Sequence, residues 1–237
     1  MSRLPVLMYH NVSNNLDNEK GLTISKDKLE THFKYLVAEG YTTCFFSEID
    51  HCFNTKRKNV IITFDDVTEN QLLYAYPLLK KYNLKATFFI PFHFVGKTDD
   101  WNSGKEKIMS VVQLQSLDST IVELGHHSYE HLKYHQIPIA SIENDLNKSF
   151  EFIESNNLSV VNTIAYPYGK FPRDKSKNKA FKNLLLKKGF SYGLRIGNRV
   201  NKFPFKDVFE INRIDIKGEY SLNRFKFKLK YGKTGLF

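Results

Sequence analysis

Two adjacent carboxylates, Asp65 and Asp66, follow directly on a short apolar run at residues 60–64. The run is rich in β-branched residues, which is typical of a strand buried on both faces. Two neighbouring like charges repel each other, and burying both is costly unless a cation or a proton transfer uses them. The alternative is structural, with Asp66 or Thr68 capping a helix that begins near Glu69. The sequence therefore predicts a candidate metal or acid–base pair at a strand end.

Two histidines follow a second apolar run, at residues 121–124. His127 and His131 are four residues apart, so one helical turn would place both imidazoles on one face. This is a common way to present two nitrogens to a zinc-like ion. His135 continues the same spacing and would allow an all-histidine site, but Pro138 argues against a helix that runs much further. The alternative is a histidine pair that is solvated or satisfied in the core.

Two further strand-like runs also end in residues that suit a functional site. Residues 4–9 lead to His10, and residues 163–165 lead to the turn Tyr166-Pro167-Tyr168-Gly169. Four strand ends thus carry candidate residues. In a parallel α/β barrel, functional sites are built from the C-terminal ends of the strands, so we expect such a barrel here.

The motifs Thr63-Phe64-Asp65-Asp66, His127-Ser128-x-x-His131 and Tyr166-Pro167-Tyr168-Gly169 stand in this order. As a set they resemble the polysaccharide deacetylases, the family with the NodB homology domain (carbohydrate esterase family 4). The resemblance covers about residues 4–216. It implies a distorted (β/α) barrel and a metal-dependent removal of acetyl groups from N-acetylated sugars. The start of the chain is similar to the subgroup that acts on poly-N-acetylglucosamine-type polymers.

The sequence also departs from the family pattern in three places. Val67 stands where Gly is usual, and Ala165 stands where an Arg usually contacts the catalytic Asp. The late Leu-x-His motif is missing, because no histidine follows His135. His10 is the natural replacement for that histidine, and Arg213 could supply the guanidinium from another strand end. The departures leave two alternatives open: an inactive barrel that only binds glycan, and an O-acetyl esterase on the same fold.

The resemblance implies a ligand set for a divalent ion. The ligands would be Asp66, His127 and His131. Zinc is the default ion for such a set, with cobalt, nickel or iron as alternatives. His135 should lie outside the set.

The resemblance also implies the catalytic roles. Asp65 would take a proton from water as general base, with Arg213 as its partner, and His10 would protonate the leaving amine. The backbone N–H of Tyr168, next to Pro167, would contact the oxyanion. We expect the His10 ring to face the metal from the side opposite Asp65.

The length of 237 residues suits a single domain, here residues 1–237 with a basic C-terminal segment at 221–237. Cys44 and Cys52 indicate no disulfide framework, so a reducing compartment is the default. The chain start leads straight into a strand without a signal peptide, and no apolar run is long enough to span a membrane. We therefore expect a cytoplasmic protein, with peripheral contact to the inner membrane face as one option.

The net charge of +10 suits an anionic surface, either a membrane leaflet or an acidic glycan. Nucleic acid would fit the charge alone, but the sequence contains no recognisable nucleic-acid-binding module. An N-acetylated saccharide is the expected substrate, and the loop around Trp101 is a candidate lining for its site. Residues 170–179 form a second basic segment.

Alternating strands and helices support the barrel. Strands are predicted at residues 42–46, 86–90, 192–196 and 210–216. Helices are predicted after a Ser25 cap, at residues 70–82, after a Ser110 cap, from Ser141 and within the tail 221–233. In the tail, alternation of Phe and Lys also permits a strand, but the helical spacing is preferred.

Overall fold

The strands are short runs of apolar and β-branched residues, as the sequence predicts, and they are connected largely by helices. This computed structural model describes residues 2–15, 19–53 and 56–233. The strands are β1 (Ser2–Leu4), β2 (Val6–Tyr9), β3 (Asn11–Ser13), β4 (Thr23–Ser25), β5 (Tyr41–Thr43), β6 (Lys58–Asp65), β7 (Ala86–Ile90), β8 (Val122–His126), β9 (Val160–Ala165), β10 (Tyr192–Ile196), β11 (Asn201–Phe203) and β12 (Ile211–Asp215). The helices are α1 (Lys26–Ala38), α2 (Ile49–Cys52), α3 (Tyr76–Tyr82), α4 (Val111–Gln115), α5 (Ile139–Ser155), α6 (Lys175–Lys187) and α7 (Leu222–Tyr231).

Seven of these strands close into a parallel barrel. Their order is β2-β12-β10-β9-β8-β7-β6, and β6 pairs back onto β2. The closing pair is in register over four residues, from Val6 opposite Ile61 to Tyr9 opposite Phe64. Strand β5 adds to the edge of β6, whereas β1 and β11 form a separate antiparallel ribbon. The predicted fold class, a distorted (β/α) barrel, is confirmed.

Successive side chains of β6 point to opposite faces of the strand and belong to two different hydrophobic clusters. Ile61 packs in a cluster with residues of the other barrel strands, among them Val6, Phe89, Leu194 and Ile211. Its neighbour Ile62 belongs to a larger cluster that includes residues of α1 and α3. Because side chains on one face recur every second residue, Asp65 lies on the same face of β6 as Ile61. The strand therefore places this carboxylate in line with the first cluster.

The helix ends follow the predicted caps. Ser25 accepts a hydrogen bond from the backbone of Lys28 at the start of α1, and Ser110 forms a capping box with Gln113. Ser221 caps α7, so the helical prediction for the tail is confirmed. Residues 234–237 of the predicted basic segment lie outside the described residues.

Three sequence predictions about local structure are wrong. Helix α5 begins at Ile139, before Ser141, because the carbonyl of Pro138 accepts the first hydrogen bonds of the helix, from the backbone N–H groups of Ser141 and Ile142. The strand predicted at 42–46 is only Tyr41–Thr43. Cys44 and Cys52 form a disulfide, with Cα atoms 6.1 Å apart, because the turn into α2 brings them together. In the described part of the chain, no helix is long and apolar enough to cross a membrane.

Candidate metal centre and catalytic cleft

A cleft of about 490 Å³ opens at the C-terminal ends of the barrel strands. It is lined by residues from the four strand ends that the sequence singles out and from the loop around Trp101. Its walls include His10, Asp65, Asp66, His127, His131 and Tyr168. Barrel closure therefore brings together side chains that are far apart in the chain, such as His10 and Tyr168, which are 158 residues apart.

Asp66, His127 and His131 form a compact set of ligand atoms. Asp66 Oδ1 lies 3.5 Å from His127 Nε2 and 3.6 Å from His131 Nε2. All three residues offer ligand atoms within 4.8 Å of one another. Ligands bound tetrahedrally to one ion at about 2.1 Å stand roughly 3.4 Å apart, so the two measured distances fit a shared ion. His135 is exposed and does not belong to this set.

The hydrogen bonds around the set leave its ligand atoms free. The Nδ1 atom of His127 lies 2.7 Å from the carbonyl oxygen of Ala165 and donates to it. That bond fixes the tautomer in which Nε2 carries a lone pair. Asp66 Oδ1 and His127 Nε2 are buried without a hydrogen-bond partner. Buried polar atoms are rarely left unpaired, so a cation is the partner that suits them.

The backbone presents these ligands from strained turns. Asp66 has φ of 78°, Val67 44°, Ser128 66° and His131 54°. A β-branched residue at positive φ is a genuine outlier, which explains why glycine would suit position 67. The prediction that one helical turn presents both histidines is wrong, since residues 127–133 are irregular. Positive φ values at Ser128 and His131 bend the chain so that both rings still point at Asp66.

The electrostatics of the set favour an added positive charge. Burial, followed by the charge of Asp65, raises the pKa of Asp66 well above its ordinary value. Burial lowers the pKa of His127 to about 4 and that of His131 well below its usual range. The two imidazoles are therefore neutral near pH 7, which is the form that binds metals.

Asp65 has a different environment from its neighbour. Arg213 donates a hydrogen bond from Nη2 to Asp65 Oδ2 at 2.7 Å, and a second from Nη1 to Oδ1. Burial alone would raise the pKa of Asp65, but the neighbouring positive charges, Arg213 first, and the hydrogen bonds from Arg213 together outweigh burial and lower this pKa well below the ordinary range. The structure thus joins Asp65 to Arg213, 148 residues apart, and keeps the carboxylate ionised.

His10 lies next to Asp65, so the expectation of a ring on the opposite side is wrong. Its Nε2 is 3.6 Å from Asp65 Oδ2. The side chain of Gln71 explains the proximity, because its Nε2 donates to the backbone carbonyls of both His10 and Asp65. Burial lowers the pKa of His10, whereas the charges of Asp65 and Asp215 raise it and that of Arg213 lowers it.

Tyr168 lines the cleft, whereas the preceding Pro167 is buried. Tyr168 is 40% exposed, adopts φ of 57° and packs edge-on against His131 at 4.8 Å. Trp101 stacks on the other side of that histidine, with ring centres 4.5 Å apart. The next residue, Gly169, has no room for a side chain, since a Cβ atom would lie 2.3 Å from Ile196. The tight turn therefore fixes where the Tyr168 backbone faces the cleft.

The sequence analysis did not single out Asp215 or Gln71. Asp215 stands two residues after Arg213 on β12, and the two-residue period of a strand places both on one face. That period could have identified Asp215 once Arg213 was a candidate. Gln71 carries no such signal, because its role depends on contacts with two distant carbonyls.

A profile of the family described as Polysaccharide deacetylase matches residues 53–188, more than half of the chain. The chain belongs to the polysaccharide deacetylase family. The matched range contains the Asp66, His127 and His131 set as well as Asp65, whereas His10 and Arg213 lie outside it.

Curated relatives and solved structures agree with this family. The poly-beta-1,6-N-acetyl-D-glucosamine N-deacetylase of Staphylococcus aureus (strain MSSA476) is 32% identical over 183 residues, which is 73% of this chain and 62% of the relative. YxkH of Bacillus subtilis (strain 168) is 27% identical over 180 residues, 74% of this chain and 60% of the relative. The chain thus spans about three fifths of the length of these relatives.

Two solved structures show the same fold. The Streptococcus pyogenes deacetylase PplD, in complex with acetate, superposes with a TM-score of 0.77 at 20% identity, covering 96% of this chain and 98% of that one. IcaB from Ammonifex degensii gives a TM-score of 0.77 at 20% identity, covering 98% and 97%. At these identities the likeness concerns the barrel, and the chemistry has to be argued from the site.

Proposed function

We propose that the protein is a metal-dependent hydrolase that removes acetyl groups from N-acetylated sugars of a glycan or lipid-linked saccharide. One observation carries the proposal: the set of Asp66, His127 and His131 stands beside the ion pair of Asp65 and Arg213. His127 Nε2 lies 3.9 Å from Asp65 Oδ2, so a ligand set and a candidate base share one cleft. The name of the S. aureus relative, an N-deacetylase of poly-N-acetylglucosamine, supports this substrate class.

Asp66, His127 and His131 are the proposed metal ligands, and zinc suits their mixed nitrogen and oxygen donors. When bound, such an ion supplies a Lewis acid for the acetyl carbonyl and lowers the pKa of a water molecule. The free lone pair of His127 and the unpaired oxygen of Asp66 support this assignment. A protein purified with metal should lose it to a strong chelator and recover activity on re-addition of zinc.

Asp65 is the proposed general base. It accepts a proton from the attacking water, whose oxygen bonds to the acetyl carbon while the carbonyl becomes an oxyanion. Because Arg213 keeps Asp65 ionised and oriented, the carboxylate is ready to accept that proton. The backbone N–H of Tyr168, beside Pro167, is the proposed donor to the oxyanion.

His10 is the proposed general acid. Collapse of the tetrahedral species breaks the carbon–nitrogen bond, and His10 gives its proton to the sugar nitrogen, so that acetate and a free amine result. Burial, together with the charge of Arg213, lowers the pKa of His10, and the negative charges of Asp65 and Asp215 offset only part of this. Its place 3.6 Å from Asp65 puts acid and base on the same side of the cleft.

The His10 assignment is tested by comparing two kinds of substrate. His10→Ala should retain metal and lose about 10²–10⁴-fold in turnover of N-acetyl amides. The loss should be much smaller on an activated acetyl ester, whose leaving group needs no proton. Equal losses on both substrates would assign His10 a structural role.

Two alternative functions make different predictions. An inactive glycan-binding barrel, suggested by Ala165, would bind N-acetylated oligosaccharides without releasing acetate. An O-acetyl esterase would release acetate from O-acetylated sugars only. Acetate release from N-acetylated glucosamine oligomers, lost on chelation, would exclude both. The buried guanidinium of Arg213 favours an active enzyme, because it makes the contact with Asp65 that the arginine usual at position 165 would make.

The location and partners of the protein are further proposals. The disulfide between Cys44 and Cys52 favours an oxidising compartment over the predicted cytoplasm. Alkylation of the cysteines in intact cells before and after reduction tests this. The charge of +10 supports contact with an anionic membrane or glycan, and salt-sensitive binding to anionic vesicles tests the membrane option.

A further inference from the structure

Four exposed basic side chains belong to the two segments that follow the cleft residues His131 and Tyr168, and we refer to them as the basic rim. They are Lys133, His135, Lys170 and Arg173. Lys133 Nζ lies 5.0 Å from the centre of the Tyr168 ring, and that ring lines the cleft. The rim is therefore next to the place where a substrate would enter.

The members of the basic rim are close enough to affect each other. Partial burial, and then the charges of Lys170, Lys133 and Arg173, lower the pKa of His135. Lys170 follows the tightly packed Gly169, and the guanidinium carbon of Arg173 stands 5.9 Å from the centre of the buried Phe171 ring. The ring contacts of Lys133 and Arg173 stabilise these two cations, although mutual repulsion disfavours the arrangement.

Nearby carboxylates do not neutralise the rim. Asp174 accepts the backbone N–H groups of Ser176 and Lys177 at the start of α6. Glu130 pairs with Lys148 at 2.9 Å. Within the described residues, no ion pair joins a rim side chain to an Asp or Glu, in contrast to many lysines elsewhere, such as Lys182. The positive charge at this edge of the cleft is therefore available to a ligand.

We propose that the saccharide that binds in the cleft carries an anionic group, a phosphate ester or a carboxylate, on the sugar next to the one that is deacetylated, and that this group contacts the basic rim. The inference rests on the proposed deacetylase function. The planar guanidinium of Arg173 and the ammonium groups of Lys133 and Lys170 are typical ligands of such anions. The exposed Tyr168 ring offers a face on which the sugar itself can pack.

The arrangement favours an anionic glycan over two other ligands. A polymer that is already deacetylated carries ammonium groups, and the rim would repel them. A flat membrane would touch the rim, but it could not also enter the cleft beside Tyr168. A single anionic saccharide satisfies both the rim and the cleft.

The test compares three trisaccharides of N-acetylglucosamine: one neutral, one with a 6-phosphate on the middle sugar, and one with that carbon oxidised to a carboxylate. The wild-type enzyme should show a kcat/KM about 5- to 10-fold higher on one or both anionic substrates than on the neutral one. The preference should shrink as sodium chloride rises from about 50 to 500 mM. Comparison of kcat/KM between the phosphorylated and the oxidised trisaccharide shows whether phosphate or carboxylate is preferred.

The variant K133Q/K170Q/R173Q should reduce the ratio of anionic to neutral kcat/KM to about one. A matched control, K202Q/K206Q/K230Q, removes the same charge from exposed lysines elsewhere and should keep the wild-type ratio. Lys202 pairs across the ribbon with Arg3, whose side chain reaches the carbonyl of Lys230, so at least these two sites lie near the start of the barrel strands. Circular dichroism and metal content verify that both variants are folded.

Equal kcat/KM values for neutral and anionic substrates would overturn the inference and leave the deacetylase function intact. If no substrate releases acetate, the deacetylase function fails, and equilibrium binding of the phosphorylated and oxidised trisaccharides to wild type and K133Q/K170Q/R173Q decides the inference separately. Tighter binding to the wild type would support it, and equal binding would overturn it. If phosphatidylserine vesicles bind through the rim while neither anionic sugar does, the rim is a membrane contact and the inference is wrong.

Discussion

Glu123, inside the barrel, and Asp66, at the cleft, both have buried carboxylate oxygens, but only Glu123 has hydrogen-bond partners for them. Glu123, on β8 before the cleft, accepts hydrogen bonds from Thr87 Oγ1 at 2.7 Å, from the backbone N–H groups of Phe46 and Ser47, and from the Ser47 hydroxyl. Asp66, at the cleft, is left with a buried oxygen that has no partner. Full pairing makes Glu123 part of the scaffold, and the missing partner makes Asp66 a ligand.

Backbone strain is also found at the cleft. Among the described residues other than glycine and asparagine, those with positive φ are Asp66, Val67, Ser128, His131 and Tyr168, and all of them lie at or beside the cleft. Asn83, Asn157 and Asn198 also have positive φ, but asparagine adopts this conformation readily. In the other residues such conformations cost on the order of 1–3 kcal/mol each and persist where the surrounding structure enforces them. Backbone strain and the unpaired oxygen of Asp66 thus coincide at the cleft, which is the arrangement expected of a binding site.

The largest expected effect separates the two adjacent carboxylates. Asp66→Ala should lose bound metal and at least about 10³-fold in acetate release, because a ligand is removed. Asp65→Asn should keep the metal and lose about 10²–10⁴-fold, because only proton transfer is impaired. Metal analysis by mass spectrometry and an acetate assay measure the difference. Equal metal loss in both variants would show that the division of roles is wrong.

Breaking the buried ion pair should destabilise the protein by the next largest amount. Arg213→Gln leaves Asp65 as an uncompensated buried charge and should reduce the free energy of unfolding by about 3–5 kcal/mol. Urea unfolding of the metal-free protein measures it. The double variant with Asp65→Asn should recover part of the loss, because no buried charge remains. Additive effects of the two changes would argue against direct coupling.

His32 is a buried histidine outside the cleft, and it shows how burial changes the pKa of an imidazole. His32 hydrogen-bonds to Tyr9 and stacks on Phe225, and burial lowers its pKa to about 3. Below about pH 6.5 the unfolded chain binds a proton at His32 that the folded protein does not bind. The contribution of neutral His32 to the free energy of unfolding is therefore present above that pH and is lost as the pH falls toward 3.

The stability difference between wild type and His32→Leu should therefore change by about 2.5 kcal/mol from pH 6 to pH 4, in favour of the variant at low pH. Urea unfolding at both pH values measures it. A difference that does not depend on pH would show that His32 is protonated in the folded protein.

The smallest expected effect concerns the satisfied carboxylate. Glu123→Gln turns one acceptor into a donor that faces the donors of Ser47 or Thr87, so we expect a loss of about 2 kcal/mol in the free energy of unfolding. Metal content and acetate release per folded molecule should stay at wild-type values. A loss of metal in this variant would break the distinction between the two carboxylates.

Local patterns in the sequence were sufficient for most secondary structure and for the identity of the ligands. The strand at 86–90, the caps at Ser25 and Ser110 and the helical tail all depend on neighbours within a few residues. Asp65 and Asp66 could be recognised because a strand pattern ends in charges that burial disfavours. These signals are short-range, so one chain segment contains all the information required.

Tertiary structure alone decided the contacts between segments. It placed His10 beside Asp65, joined Asp65 to Arg213 and paired Cys44 with Cys52. It also replaced the predicted helical turn at His127 with strained loop geometry. Such contacts depend on the register in which seven strands close, and a shift of one residue would turn each side chain to the opposite face. The sequence by itself determined which residues can do the chemistry, whereas closure of the barrel determined how they meet.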